Sequence, residues 1–123
     1  MDIFDCLNTA ESPDMAIYDY IVNHLDTCGQ QLPELIGKMR IVDLSGQFLA
    51  STARFLAAVD AEAYGDVIPE LVEATIEKDR EHRYIGGLLA ALWGPDYESR
   101  ADELRSTDNN FRRIYKRLYP SGF

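Results

Sequence analysis

Nineteen consecutive residues, Ile41 to Val59 (IVDLSGQFLASTARFLAAV), carry only two charges, Asp43 and Arg54. Within them Leu44, Phe48, Phe55 and Val59 recur at spacings of four, seven and four, with Leu49 and Leu56 beside them. That is helical periodicity, and apolar or small residues occupy most of the circumference. A helix of this kind is stable only when neighbours cover it nearly all round. The stretch is therefore expected to be the buried central helix of an all-α, single-domain bundle of five or six helices, spanning residues 1–123. Its large apolar residues are expected to form the core. Gly46, Ala50, Ala53 and Ala57 make a row of small residues along it, which should let another helix approach closely.

A chain of 123 residues is long enough to bury such a core without disulfides or metal. The formal net charge is −9, so most of the surface should repel nucleic acid and anionic membrane. The cysteines are Cys6 and Cys28. The opening MDIFDCLNTAESPD has no basic start and no apolar run, so no secretory leader is expected, and a cytoplasmic location with reduced thiols follows. No uninterrupted apolar run is long enough to span a bilayer.

Turn and cap residues divide the chain. Residues 1–12 read as an acidic lead-in whose Ile3, Phe4 and Leu7 can tuck onto the core. Ser12-Pro13-Asp14 reads as a helix start, and the helix should run to about Cys28 with Met15, Tyr18, Ile21, Val22 and Leu25 inward. Pro33 opens a second helix, weakened at Gly37, with a break or kink before the central one that Asp43 or Ser45 can cap. Asp66 should cap the next helix, which buries Val67, Ile68, Leu71, Val72 and Ile76. The run EKDREHR, Glu77 to Arg83, has no apolar face and should project beyond the core or line a solvated groove. Gly94-Pro95 stops the helix that carries Leu88, Leu89, Leu92 and Trp93. From Asp96 an apolar face persists to Leu118, with Asp108 upon it, either as one long helix or as two that break at Asp108. Residues 120–123 are a tail.

Charge is unevenly distributed. Residues 1–37 hold seven acidic residues and no Lys or Arg, whereas residues 96–123 hold six basic residues against five acidic ones. The simplest expectation is internal neutralisation, with the acidic first helix lying near the basic last one.

Four groups of residues carry possible chemistry. In FRRIYKRLY, Arg105, Arg112 and Lys116 fall along one line of a helix, with Arg113 and Arg117 beside it, as a phosphate-contacting surface would require. A solvated outer face with cations near a helix C-terminus explains the same pattern. Cys6, His24, Cys28 and His82 are ligand types for zinc, but their gaps match no common ligand spacing, so no metal or other cofactor is expected. Asp79 and His82, three apart, would let a carboxylate orient an imidazole if the segment were helical, although a solvated charged segment explains them as well. Trp93 and Tyr97 flank a rigid turn, where they are either core or an exposed partner patch.

No phosphate loop, nucleophile elbow, kinase or dinucleotide fingerprint is present. The sequence therefore favours a non-catalytic, cytosolic protein-interaction or regulatory domain that binds another protein or a second copy of itself. Its expected surface joins Asp79, His82 and Arg83 to Trp93 and Tyr97. The alternative is a nucleic-acid-associated regulator using Arg105, Arg112, Arg113, Lys116 and Arg117. A second alternative is a small metal-dependent helical enzyme.

Overall fold

Three prolines mark helix starts, each in a first turn where its missing N–H leaves no hydrogen bond unmade. In a computed structural model, which describes residues 12–120, Pro13 opens α1 (Pro13–His24), Pro33 opens α2 (Leu32–Val42) and Pro69 opens α4 (Ile68–Lys78). The remaining elements are α3 (Gln47–Asp60), α5 (Gly86–Trp93), a 3-10 turn (Tyr97–Arg100), α6 (Ala101–Thr107) and α7 (Asn109–Leu118). The described residues contain no strand, and the protein is all-α. Among the described residues the α-helices number seven, against the expected five or six, partly because the chain breaks at Asp108 instead of running on as one helix. No helix among the described residues is long and apolar enough to cross a membrane. The expected docking of Ile3, Phe4 and Leu7 lies outside the described residues.

The central helix is shorter than the uncharged stretch. Ile41 and Val42 finish α2, residues 43–46 turn a corner, and α3 begins at Gln47. It packs against α1, α2, α4 and α5 and so keeps its central place. Its buried face is not the one that large side chains suggest. Leu49, Ala50, Thr52, Ala53 and Leu56 are buried, while Phe48 and Phe55 are half-buried and Val59 is exposed.

The small-residue row explains the difference. Gly46 lies against Thr75 and Lys78 at the end of α4, and Ala57 shares a cleft with Ile68 and Val72 at its start. The two helices are thus antiparallel, with α4 seated on the Gly46–Ala57 row. Close backbone approach buries alanines and turns the phenylalanines to the flanks. The core continues into Ile17 and Ile21 of α1, Leu35, Ile36 and Met39 of α2, Leu71 of α4, Leu88 of α5 and Phe111 of α7. Each such aliphatic side chain contributes about 1.5–3 kcal/mol on burial.

Several local expectations shift by a few residues. The first helix ends at His24, short of Cys28, and Met15 faces water, while Ile17 and Ile21 turn inward. Ser12 makes no side-chain cap. Asp66 does not cap α4, whose first residue follows Val67. Gly37 passes through α2 without a break.

Gly46 and Gly37 make a paired test. Gly46 has φ +85°, and a Cβ there would sit 3.3 Å from Lys78 Cβ and 3.4 Å from the Thr75 carbonyl oxygen. Gly37 is helical and has nothing within 4 Å of a built Cβ. Gly46→Ala should lose more than about 1 kcal/mol, and Gly37→Ala should gain about 0.5–1 kcal/mol. Urea unfolding of the two variants checks both signs.

Candidate functional site

The charged run Glu77–Arg83 does not project as a helix. Helix α4 ends at Lys78, and Asp79 is its C-terminal cap. The Asp79 side chain then turns inward, and the residue is only 2% exposed. One carboxylate oxygen accepts the Arg83 N–H at 2.9 Å, and the other accepts those of Tyr84 at 2.7 Å and Ile85 at 2.9 Å. These are donors of the turn that enters α5, which no earlier carbonyl can reach. Asp79 therefore organises the loop, with both carboxylate oxygens taken up by backbone N–H groups. His82 is not on a shared helical face with it. Its φ is +57°, its N–H donates to the Asp79 carbonyl at 3.1 Å, and it stands exposed beside Arg83.

The loop faces the α2–α3 corner across a cleft of about 340 Å³. Lys78, Arg80, Glu81, Arg83 and Tyr84 line one side and Leu44 the other, with Asp79 as the floor. Leu44 is 79% exposed, and Ile41, three residues earlier, is 72% exposed. Arg83 and Glu81 form an ion pair at 2.6 Å with both side chains largely in water. Leu44 was expected in the core. The signal that places it outside is its neighbourhood: Asp43-Leu44-Ser45-Gly46 interrupts the helix, so Leu44 has no helical register to turn it inward.

Trp93 and Tyr97 belong to a different place. They stand at the far end of α5, whose eight residues put about 12 Å of helix between them and the loop. The Trp93 indole N–H donates to Asp108 Oδ2 at 2.8 Å, and its ring meets Phe111 edge-on, centroids 5.3 Å apart. Tyr97 meets Phe111 at 6.3 Å, and burial, with Tyr119 nearby, raises its hydroxyl pKa. Both rings are half-buried cluster members. The residues expected to share a surface thus stand at the two ends of α5, with Asp79, His82 and Arg83 before it and Trp93 and Tyr97 at and beyond its end.

The basic residues also divide. Helix α6 folds beside α7, and between them lies a groove of about 460 Å³ lined by Arg105, Arg112, Tyr115, Lys116 and Tyr119, with Asp102 on its rim. Arg105 pairs with Asp102 and lies 5.1 Å over the Tyr115 ring. Arg113 and Arg117 are outside this lining, and Arg117 donates to the Arg113 carbonyl oxygen at 3.1 Å along the helix. The expected neutralisation by the first helix is not the packing observed. Helix α1 packs on α2 and α3, whereas α7 packs on α4, α5 and α6.

The residues considered for zinc are dispersed. Cys28 is a buried free thiol whose pKa is raised first by that burial, and His24 stacks on Tyr20 with centroids 4.3 Å apart. Among the described residues no three His, Cys, Asp or Glu side chains converge on a point that would hold a metal, and Cys6 lies outside them. The sequence matches no protein-family model, no curated protein and no solved structure.

Two predictions follow from the carboxylates. Asp79→Ala strands three N–H groups and should lose about 2–4 kcal/mol, and Asp79→Asn, which keeps one acceptor oxygen, clearly less. Glu81→Ala in the same loop should stay within about 0.5 kcal/mol in chemical denaturation. Asp43 is fully buried, and that burial raises its pKa against the opposing Leu49 N–H, with the Asp14 charge adding to the rise. A carboxylate raised in the folded state adds stability below its unfolded pKa and loses that contribution as pH climbs through the folded value. Asparagine does not titrate. Asp43→Asn should therefore gain on the parent, in melting temperature, as pH rises from below the ordinary carboxylate range toward neutrality.

Proposed function

We propose that this chain is a non-catalytic protein-interaction domain of the cytosol. It binds an acidic, amphipathic segment of a partner protein in the cleft between the α2–α3 corner and the loop after α4. The observation that carries this reading is the 79% exposure of Leu44 opposite Lys78, Arg80 and Arg83 across that cleft, with Ile41, 72% exposed, three residues earlier in the chain. Aliphatic side chains this exposed gain about 1.5–3 kcal/mol each when a partner covers them. Cations around an apolar contact select an acidic partner and speed its encounter. The Arg83–Glu81 pair is solvated and worth little, so Arg83 can exchange Glu81 for a partner carboxylate at small cost. Below the cleft, Asp79 holds the loop backbone in one conformation, which limits the entropy lost on binding. The buried, free Cys28 fits a reducing compartment.

A photo-crosslinking residue at Leu44 in cells of the source organism tests this, with the same residue at exposed Glu70 as control. The expected outcome is an adduct specific to Leu44, identified by mass spectrometry, whose cross-linked segment is acidic and amphipathic. Binding of that purified segment should fall at least tenfold for Leu44→Asp and for Arg80→Glu, with a salt dependence that Arg80→Glu reduces. Adducts no different from the control, or a basic cross-linked segment, would refute the reading.

A further inference from the structure

The groove between α6 and α7 raises a separate question, because two ordinary explanations of its charge do not cover it. Cations at the end of a helix are favoured by its dipole, and this accounts for Lys116 and Arg117 in the last turn of α7. It does not account for Arg112, which sits in the first turn of the same helix, at the end that disfavours a cation. Nor does the acidic first helix neutralise the group, since α1 packs elsewhere. Among the described residues, Arg105, Arg112 and Lys116 therefore line one concavity in which Asp102 is the carboxylate, in a chain of net charge −9.

The concavity is also aromatic. Tyr115 and Tyr119 line it with ring centroids 4.7 Å apart, and Tyr119 is 38% exposed. Arg105 lies over Tyr115 and is tied to Asp102, so its guanidinium plane is held in position. The volume of about 460 Å³ is within the range of small-ligand sites, about 300–1,000 Å³. Aromatic faces beside cations suit a ligand that joins a flat ring to a phosphate.

We infer that this groove binds a nucleotide, either free or as one residue of a single strand. Tyr119 offers the face on which the base stacks. Arg112 and Lys116 meet the phosphate, and Arg105 fixes Tyr115 as the wall. The site is distinct from the Leu44 cleft, and its test uses different residues and a different probe.

The experiment measures binding of the full chain to a fluorescent single-stranded oligonucleotide of about ten residues by anisotropy, with AMP, heparin and poly-glutamate as parallel probes. Oligonucleotide binding should weaken as salt rises, and Arg112→Glu with Lys116→Glu should cut it at least tenfold and lower the salt slope by about one per cation removed. Tyr119→Ala should cut it about fivefold or more with the salt slope unchanged, because stacking and not charge is lost. Circular dichroism and melting temperature confirm that each variant is folded. Tyr119→Leu keeps apolar bulk without the ring and serves as a second variant. If AMP binds as tightly as the oligonucleotide, the ligand is a free nucleotide, and if it binds far more weakly, the ligand is a strand. No binding at low salt, equal binding of heparin or poly-glutamate, or indifference to both Tyr119 variants would overturn the inference.

Discussion

A carboxylate set one residue past the end of a helix governs how the chain leaves that helix and enters the next. Among the described residues the device occurs at Asp43, Asp79 and Asp108, the C-terminal caps of α2, α4 and α6. Each backbone N–H still bonds back to the carbonyl four residues earlier, on Met39, Thr75 and Leu104. Each side chain then reaches forward, Asp43 to the N–H groups of Phe48 and Leu49, Asp79 to Arg83, Tyr84 and Ile85, and Asp108 to Phe111. The corner is thereby tied on both sides. The cost is desolvation of a charge, visible at Asp43, where Oδ1 is buried without a hydrogen-bond partner. The forward bonds offset it by satisfying donors that a helix start otherwise leaves orphaned.

The Asp43 and Asp79 corners also support each other. Gly46, which closes the first, lies against Thr75 and Asp79 at the second. A side chain at position 46 would push the corners apart, so the left-handed glycine is required by conformation and by space together. Ser45, Lys78 and Asp79, on the two sides of this contact, all line the Leu44 cleft.

The sequence made much of this visible, and its failures have physical causes. Helical class, the proline-marked starts, the break available at Asp108 and the cap available at Asp43 follow from local chemistry, and local chemistry decides them. The central helix's face does not, because hydrophobicity ranks Phe48 and Phe55 above Ala50 and Ala53, while backbone approach rewards the smaller pair. Asp79 was hidden by its neighbours. In a run of seven charged or titratable residues, composition says solvent, yet one member is almost wholly buried by backbone donors that lie four to six residues ahead. The cleft and the groove were out of reach for another reason. Each is made by elements whose relative placement depends on tertiary packing, so residue type along one helix cannot reveal it.

Asp108 shows how a structural residue can create a surface it does not join. As one straight helix, residues 105–116 would place Arg105 and Lys116 about 16 Å apart on a convex face. Asp108 interrupts that helix, caps α7 through the Phe111 N–H and anchors the indole of Trp93 from α5. Trp93 in turn meets Phe111, the buried ring on which Tyr115 stacks, with Tyr119 tilted against Tyr115 beyond it. The break folds α6 back beside α7, and three cations along one line become the walls of a concavity. The positions of Arg105, Arg112 and Lys116 thus depend on an aspartate–tryptophan bond at the opposite end of the aromatic series, and the shape of the groove rests on the same packing that closes the core.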